Sequence, residues 1–407
     1  MEMNMVVEKA DQTAYEGEGG GYYIWSNSKV PLLSQSKLGT GKLLLHPLGF
    51  ALPHYADSSK IGFVLQVGTI DSLVPIGTIA DDRSSAMAAV RRPVLNRYTV
   101  EGIRHGIRYG TVVPGTCTVG LVSPNSPEEK VLLIKKGDAI PLSSGVVSWW
   151  FNGGDTDVVI IFLGETTKAL VPGQFTYFFV AGVLGILAGF QSDFVGKTFN
   201  LNQKQSEVLV RSQPGALIVK LENGTKFPEP SKHIKEKLYE SIDGPCDDHI
   251  IVKGGGLINS LTEKNFSMLR EIGLSAKFVK LEGNAMLAPS YVTNGSVQIS
   301  YVSKGGGWIK VVASEGKPAL DSRVEEGDLF IVPQYLAIAE IADECGMEVF
   351  SVITSSNPIF GELAGNNSVW KAFSPVVIRS ALNISEEFEE VFEAKNTKSI
   401  TIVAPSN

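Results

Sequence analysis

The chain has 407 residues, enough for two ordinary domains each with its own core, and 43% of them are hydrophobic against 19% charged, with 42 glycines and 20 prolines. That composition excludes a disordered chain and describes a turn-rich globular one. The formal charge of −7 argues against nucleic acid as a partner, because a protein that binds phosphate backbones needs a basic face.

At the N-terminus, Met1 to Lys9 has no basic segment ahead of its apolar residues, and Glu8 interrupts them, so no secretory leader is expected. Gly19-Gly20-Gly21 reads as a tight hairpin turn. It opens no helix and has no following Lys-Ser/Thr, so it does not fit a phosphate cradle. Ala51-Leu52-Pro53-His54-Tyr55 followed by Lys60 to Gln66 reads as turn, then strand. Residues 67–114 contain six arginines and His105 with no periodicity. A surface loop competes here with translated sequence of an unspliced intron. The second is preferred, since joining Gln66 to Gly115 leaves an uninterrupted strand-turn-strand, and long structureless loops are rare.

Further on, Lys135-Lys136-Gly137-Asp138 predicts a turn into an apolar strand, and Ser148-Trp149-Trp150 a strand with one indole inward and the other outward. Val158 to Leu163 predicts another strand. Phe178 to Phe190 is too short and glycine-broken for a membrane span and is expected in the core. Asn202 caps a predicted helix running to Val210. Asn223 to Gly256, rich in charge, proline and glycine, reads as a linker. Cys246 and His249 within it lack a third, orienting group, and a loop role is preferred to catalysis.

The pattern then recurs. Leu287-Ala288-Pro289-Ser290-Tyr291 followed by Gln298 to Val302 repeats the first turn and strand; Glu325-Glu326-Gly327-Asp328 repeats the Gly-Asp turn; Glu348 to Ile353 repeats the later strand. Gly305-Gly306-Gly307 reads as a second hairpin turn. A helix is expected from Ser385, with Glu386 and Glu387 favourable against its dipole and Phe388, Val391 and Phe392 on one face. The expected fold is therefore mainly β, two tandem antiparallel barrels each followed by a small helical region. The expected boundaries are 1–215, a linker over 216–256, and 257–407. Three widely spaced cysteines, Cys117, Cys246 and Cys345, include no close pair for a zinc site or disulfide framework and suit a reducing, cytoplasmic compartment.

This arrangement, with Val332-Pro333-Gln334, Leu363-Ala364-Gly365 and Ser368-Val369-Trp370-Lys371-Ala372-Phe373, resembles plant 11S seed storage globulins (legumins and glutelins), bicupins of the cupin superfamily. The resemblance implies two cupin barrels, a homotrimer with a hexamer as the alternative, and a nutrient-reservoir role with the storage vacuole as its location. The chain departs from it at the processing junction. Asp243-Gly244-Pro245-Cys246 lacks the Asn of the cleavage site, and Ile250 stands at the joining Cys.

Catalytic cupins carry Gly-x5-His-x-His-x3-4-Glu-x6-Gly and Gly-x5-Pro-x-Gly-x2-His-x3-Asn, and several of these ligands together are needed to hold a first-row metal. Here His54 stands near the first ligand position, Ala56 at the second, Lys60 or Ile61 at the Glu, and Ser148 at the last His. In the second half Ser290, Val292, Ser296 or Val297, and Ile338 take those places. No metal, cofactor or catalytic residue is expected. The expected function is a non-enzymatic storage-type protein. The alternative is a cytoplasmic bicupin whose first barrel binds a small ligand, or catalyses a metal-independent reaction, around His54, Tyr55, Ser148, Trp150 and Asn152.

Overall fold

The computed structural model describes residues 4–67, 117–124, 126, 128–231, 237–244, 246–365, 367–396 and 401–405. The expectation placed on residues 67–114, His105 included, thus lies outside the described residues except at Val67.

The first half carries β1 (Gln12–Gly17), β2 (Gly20–Ile24), α1 (Leu32–Gln35), β3 (Leu38–Leu45), β4 (Gly49–Ala56), β5 (Lys60–Gln66), β6 (Cys117–Val122), β7 (Lys130–Ile134), β8 (Asp138–Leu142), β9 (Val147–Asn152), β10 (Val158–Glu165) and β11 (Tyr177–Phe179). Helices α2 (Ile186–Gly189), α3 (Ser192–Phe199) and α4 (Gln203–Arg211) follow, then β12 (Ile218–Lys220) and β13 (Glu240–Ser241). These strands form two sheets, one ordered β1-β2-β3-β10-β5-β8-β13 and the other β11-β4-β9-β6-β7 with β12 beside β4.

The second half carries β14 (His249–Val252), β15 (Gly256–Leu261), α5 (Met268–Ile272), β16 (Ser275–Leu281), β17 (Met286–Val292), β18 (Gln298–Val312), β19 (Pro318–Glu325), β20 (Leu329–Val332), β21 (Ala337–Ile353), β22 (Phe360–Glu362), α6 (Val369–Ala372), α7 (Pro375–Leu382), α8 (Glu386–Asn396) and β23 (Ile402–Val403). Its strands form one ten-stranded sheet in which the long β18 and β21 run together. The chain is mainly β, with two β-barrels, as the repeated turn-strand pattern implied.

Register fixes the correspondence of the halves. His54 faces Ser148 across β4 and β9, and Ser290 faces Ile338 across β17 and β21. Lys60 faces Leu142, and Gln298 faces Val332. The two Gly-Asp turns are built alike. Gly137 and Gly327 have φ of +86° and +96°, a region that glycine enters without a Cβ clash. Asp138 accepts from the Lys135 amide and Asp328 from the Glu325 amide, each at 2.8 Å.

Strand alternation explains the unbroken apolar run of β10. Val158, Ile160 and Phe162 face the first barrel's interior, while Ile161 and Leu163 join a core shared with the second barrel. Phe63 crosses that junction and stacks on Phe350 at 4.4 Å. The N-terminal segment seals it further: Glu8 exchanges backbone bonds with Leu329, and the Trp25 indole donates to the Glu8 carbonyl.

Three expectations need correction. Gly305-Gly306-Gly307 is no hairpin turn; it lies inside β18, where the register slips against β21. Backbone approach requires glycine there, since a Cβ on Gly307 would meet the Ile341 carbonyl oxygen at 2.1 Å. The Phe178 to Phe190 stretch is not core throughout, because Val183, Leu184 and Phe190 are each more than half exposed on the helical side. The strand-turn-strand that joining Gln66 to Gly115 would leave is not a paired hairpin, because β5 and β6 sit in different sheets and do not pair. Within Asn223 to Gly256, β13 pairs with β8, and Phe227 stacks on Phe151 at 4.0 Å, covering the outer face of β9.

Candidate functional site

The first barrel encloses a cavity of about 180 Å³ whose walls include Tyr22, His54, Lys60, Trp150, Phe162 and Tyr177. Each wall residue owes its direction to strand alternation. On β5, Ile61 and Phe63 face the shared core, which turns Lys60, Gly62 and Val64 to the barrel's own interior. Of the two residues that could stand at the family's carboxylate position, it is therefore Lys60 that enters the cavity. On β9, Trp150 packs inward, while Trp149 joins Phe151 on the outer face.

The His54 ring is buried, with Nδ1 2.7 Å from the Leu52 carbonyl oxygen. A carbonyl only accepts, so Nδ1 carries the proton and Nε2 is left as an acceptor. Burial lowers the His54 pKa to about 4, the nearby Lys60 charge adding to the effect, so the ring is neutral in ordinary buffers. Tyr177 and Phe179 flank it, each with its ring centroid 5.3 Å away.

Lys60 is 5% exposed. Its Nζ lies over two aromatic faces, 4.7 Å from the Tyr177 centroid and 5.1 Å from that of Phe175. Burial brings its pKa down to about 7, opposed by Asp57. That carboxylate is otherwise engaged, accepting from the Ser58 hydroxyl and from the Leu170 and Thr176 amides. Tyr22 and Tyr177 join hydroxyl to hydroxyl at 2.5 Å, and burial raises the pKa of both.

Of the five residues expected around a pocket, the structure brings His54 and Trp150 to the cavity wall. Ser148 sits behind it and accepts the Trp150 indole N–H at 3.2 Å. Tyr55, one residue on from His54, stacks on Phe178 at 5.0 Å, and the cavity wall does not include it. Asn152 is consumed by the β9–β10 turn: its amide donates to the Leu45 and Thr156 carbonyls, and its oxygen accepts from the Gly154 amide. Sequence reading assigned no pocket role to Lys60, Tyr22, Phe162 or Tyr177. The alternation of β5 was the available signal for Lys60; the others reach the cavity through sheet closure.

An ammonium where a cupin metal site would need a carboxylate opposes cation binding by direct repulsion, and a lone neutral imidazole cannot offset that. Among the described residues, no three His, Cys, Asp or Glu side chains gather to hold a metal. The Cys246 thiol and the His249 ring do not pair; the thiol donates to the Asp248 carbonyl, and His249 Nδ1 meets the backbone carbonyl of Cys246. Burial raises the Cys246 pKa, the reverse of an activated thiol. No helix among the described residues is long and apolar enough to cross a membrane.

In the second barrel the corresponding interior is polar. Gln298 donates to Ser300 and Ser351, Lys277 lies over the Phe360 ring at 4.8 Å, and Glu340 and Glu362 oppose its charge.

The sequence profile of the Cupin family matches residues 105–207 and 243–390. The 12S seed storage protein CRB of Arabidopsis thaliana is 24% identical over 95% of this chain and 87% of its own length. Glutelin type-A 2 of Oryza sativa subsp. japonica is 24% identical over 64% of the chain and 63% of its length. Among solved structures, the coconut allergen cocosin superposes with a TM-score of 0.80 at 21% identity, covering 100% of this chain and 99% of its own.

Proposed function

This chain belongs to the Cupin family, and from that premise we propose that it is a non-enzymatic storage globulin of the nutrient-reservoir type. The observation that carries this reading is similarity running through both halves to seed storage proteins, alongside a first-barrel interior that places an ammonium where catalytic cupins need a carboxylate. A storage protein needs dense packing and assembly more than a reactive centre, and the exposed apolar side chains of the helical regions suit assembly. Phe190, Phe194 and Phe199 on one side, and Val376, Phe388 and Val391 on the other, are each at least 47% exposed. Two such faces, one following each barrel, support head-to-tail association into a closed ring, a trimer, with face-to-face stacking giving a hexamer. Light scattering of the purified protein tests this: a mass three or six times that of the chain is expected, and a monomer refutes it.

The reservoir role predicts abundance in maturing seed, location in the storage vacuole, and loss on germination. Quantitative immunoblotting across those stages checks it. A protein of constant, low abundance in the cytoplasm overturns it and leaves the second reading, a small-ligand binder. What favours that second reading is the cavity itself, aromatic and fitted with the His54 acceptor and the Lys60 cation.

A further inference from the structure

The two barrels treat a buried cation differently. In the second, Lys277 has two carboxylates, Glu340 and Glu362, acting on its charge, whereas Lys60 of the first has one, Asp57, which accepts from Ser58, Leu170 and Thr176. Register places Trp150 of the first barrel where the second has Glu340, and Phe179 where it has Glu362. Likewise, Gln298 of the second barrel is satisfied by Ser300 and Ser351, while Lys60, at the matching position, has Gly62 and Phe162 in their places. Both carboxylates and both hydroxyls that would satisfy a polar group are therefore replaced by apolar ones around Lys60. Among the described residues no carboxylate is in ion-pair contact with its Nζ, which lies over two ring faces, and Asp57, which acts on its charge from farther off, is already held by Ser58, Leu170 and Thr176. Buried charges in folded proteins are paired, so a 5% exposed ammonium on the wall of this cavity marks a place for an anion brought from outside.

We propose that the first-barrel cavity binds a small aromatic monocarboxylate, its carboxylate on Lys60 and its ring among Trp150, Phe162 and Tyr177. The apolar wall excludes phosphates and sugars, which would leave several hydrogen-bonding groups without partners. The single cation matches a single negative charge. A volume of about 180 Å³ limits the ligand to about one substituted ring, since cavities of about 150 Å³ take up benzene. Besides the paired hydroxyls of Tyr22 and Tyr177, His54 Nε2 is a polar atom of the wall, an acceptor suited to a hydroxyl or N–H on the ligand rather than to its carboxylate.

The proposal rests on reading the cavity as a binding site, and the test separates the two. Calorimetric titration of the purified full chain at pH 6 compares phenylacetate and benzoate with phenylacetamide and benzamide, which match them in shape but are neutral. Each acid is expected to bind at least about tenfold more tightly than its amide. In Lys60→Met and Lys60→Gln, that preference is expected to disappear while amide binding persists. If acid and amide bind equally to the unaltered protein, the cavity is a binding site but the anion assignment falls. If neither binds at millimolar concentration, both fall. An acid preference that survives both substitutions places the anion elsewhere and also overturns the proposal.

Discussion

Replacing Lys60 by Met should stabilise the protein, although it removes a charged side chain that touches two aromatic rings. Burial lowers the Lys60 pKa from 10.5 to about 7. In the window between those values the unfolded chain binds a proton that the folded one sheds, so stability rises with pH there, and the cost is fully present below pH 7. The gap corresponds to about 5 kcal/mol at acid pH, about 4 at pH 7 and about 2 at pH 9. Met has a similar length, no charge and good packing in irregular apolar space. Loss of the contacts to Tyr177 and Phe175 offsets about 1 kcal/mol of the gain. Lys60→Met is therefore expected to be more stable by about 3 kcal/mol at pH 7, with the advantage shrinking by about 2 kcal/mol at pH 9. Urea unfolding curves of both proteins at pH 6, 7, 8 and 9 measure the difference. A destabilised variant at pH 7, or an advantage that does not change with pH, would refute the picture of an ammonium held without a carboxylate in contact.

His54 is neutral in the fold, its pKa lowered from 6.5 to about 4 by burial. The unfolded chain takes up that proton first, so about 3 kcal/mol of stability is lost as pH falls from 6.5 to 4, and the ring signal in proton NMR should not titrate between pH 7 and 5. Phe227→Ala uncovers Trp149, Phe151 and Phe50; because Phe227 is half-buried, the expected cost is about 2 kcal/mol, with faster proteolysis around residues 222–231. Limited digestion and urea titration check both effects. Among the thiols, exposed Cys345 should react with Ellman's reagent in the native protein, while Cys117, buried and with its pKa pushed up to about 12, should react only after unfolding.

How much of this was legible in the residues can be judged element by element. The duplicated Gly-Asp turns, the helix capped by Asn202 and the inward and outward indoles of Trp150 and Trp149 were readable because each depends on backbone geometry or alternation within a few residues. So was the replacement of the cupin ligands at Ala56 and Ser148, which needs only an aligned repeat. The turn reading of Gly305 to Gly307 failed because a glycine run looks the same whether it turns the chain or lets two backbones approach.

Position along one strand therefore determined the two barrels, their turns and their poverty in metal ligands. Only closure of the sheets decided the rest: that Lys60 meets Tyr177 and Phe175 rather than a carboxylate, that Phe63 lies on Phe350 in a core common to both halves, and that Tyr55 and Asn152 turn to other partners. The physical reason is that alternation states which face a side chain takes, whereas the groups waiting on that face come from strands tens to hundreds of residues away.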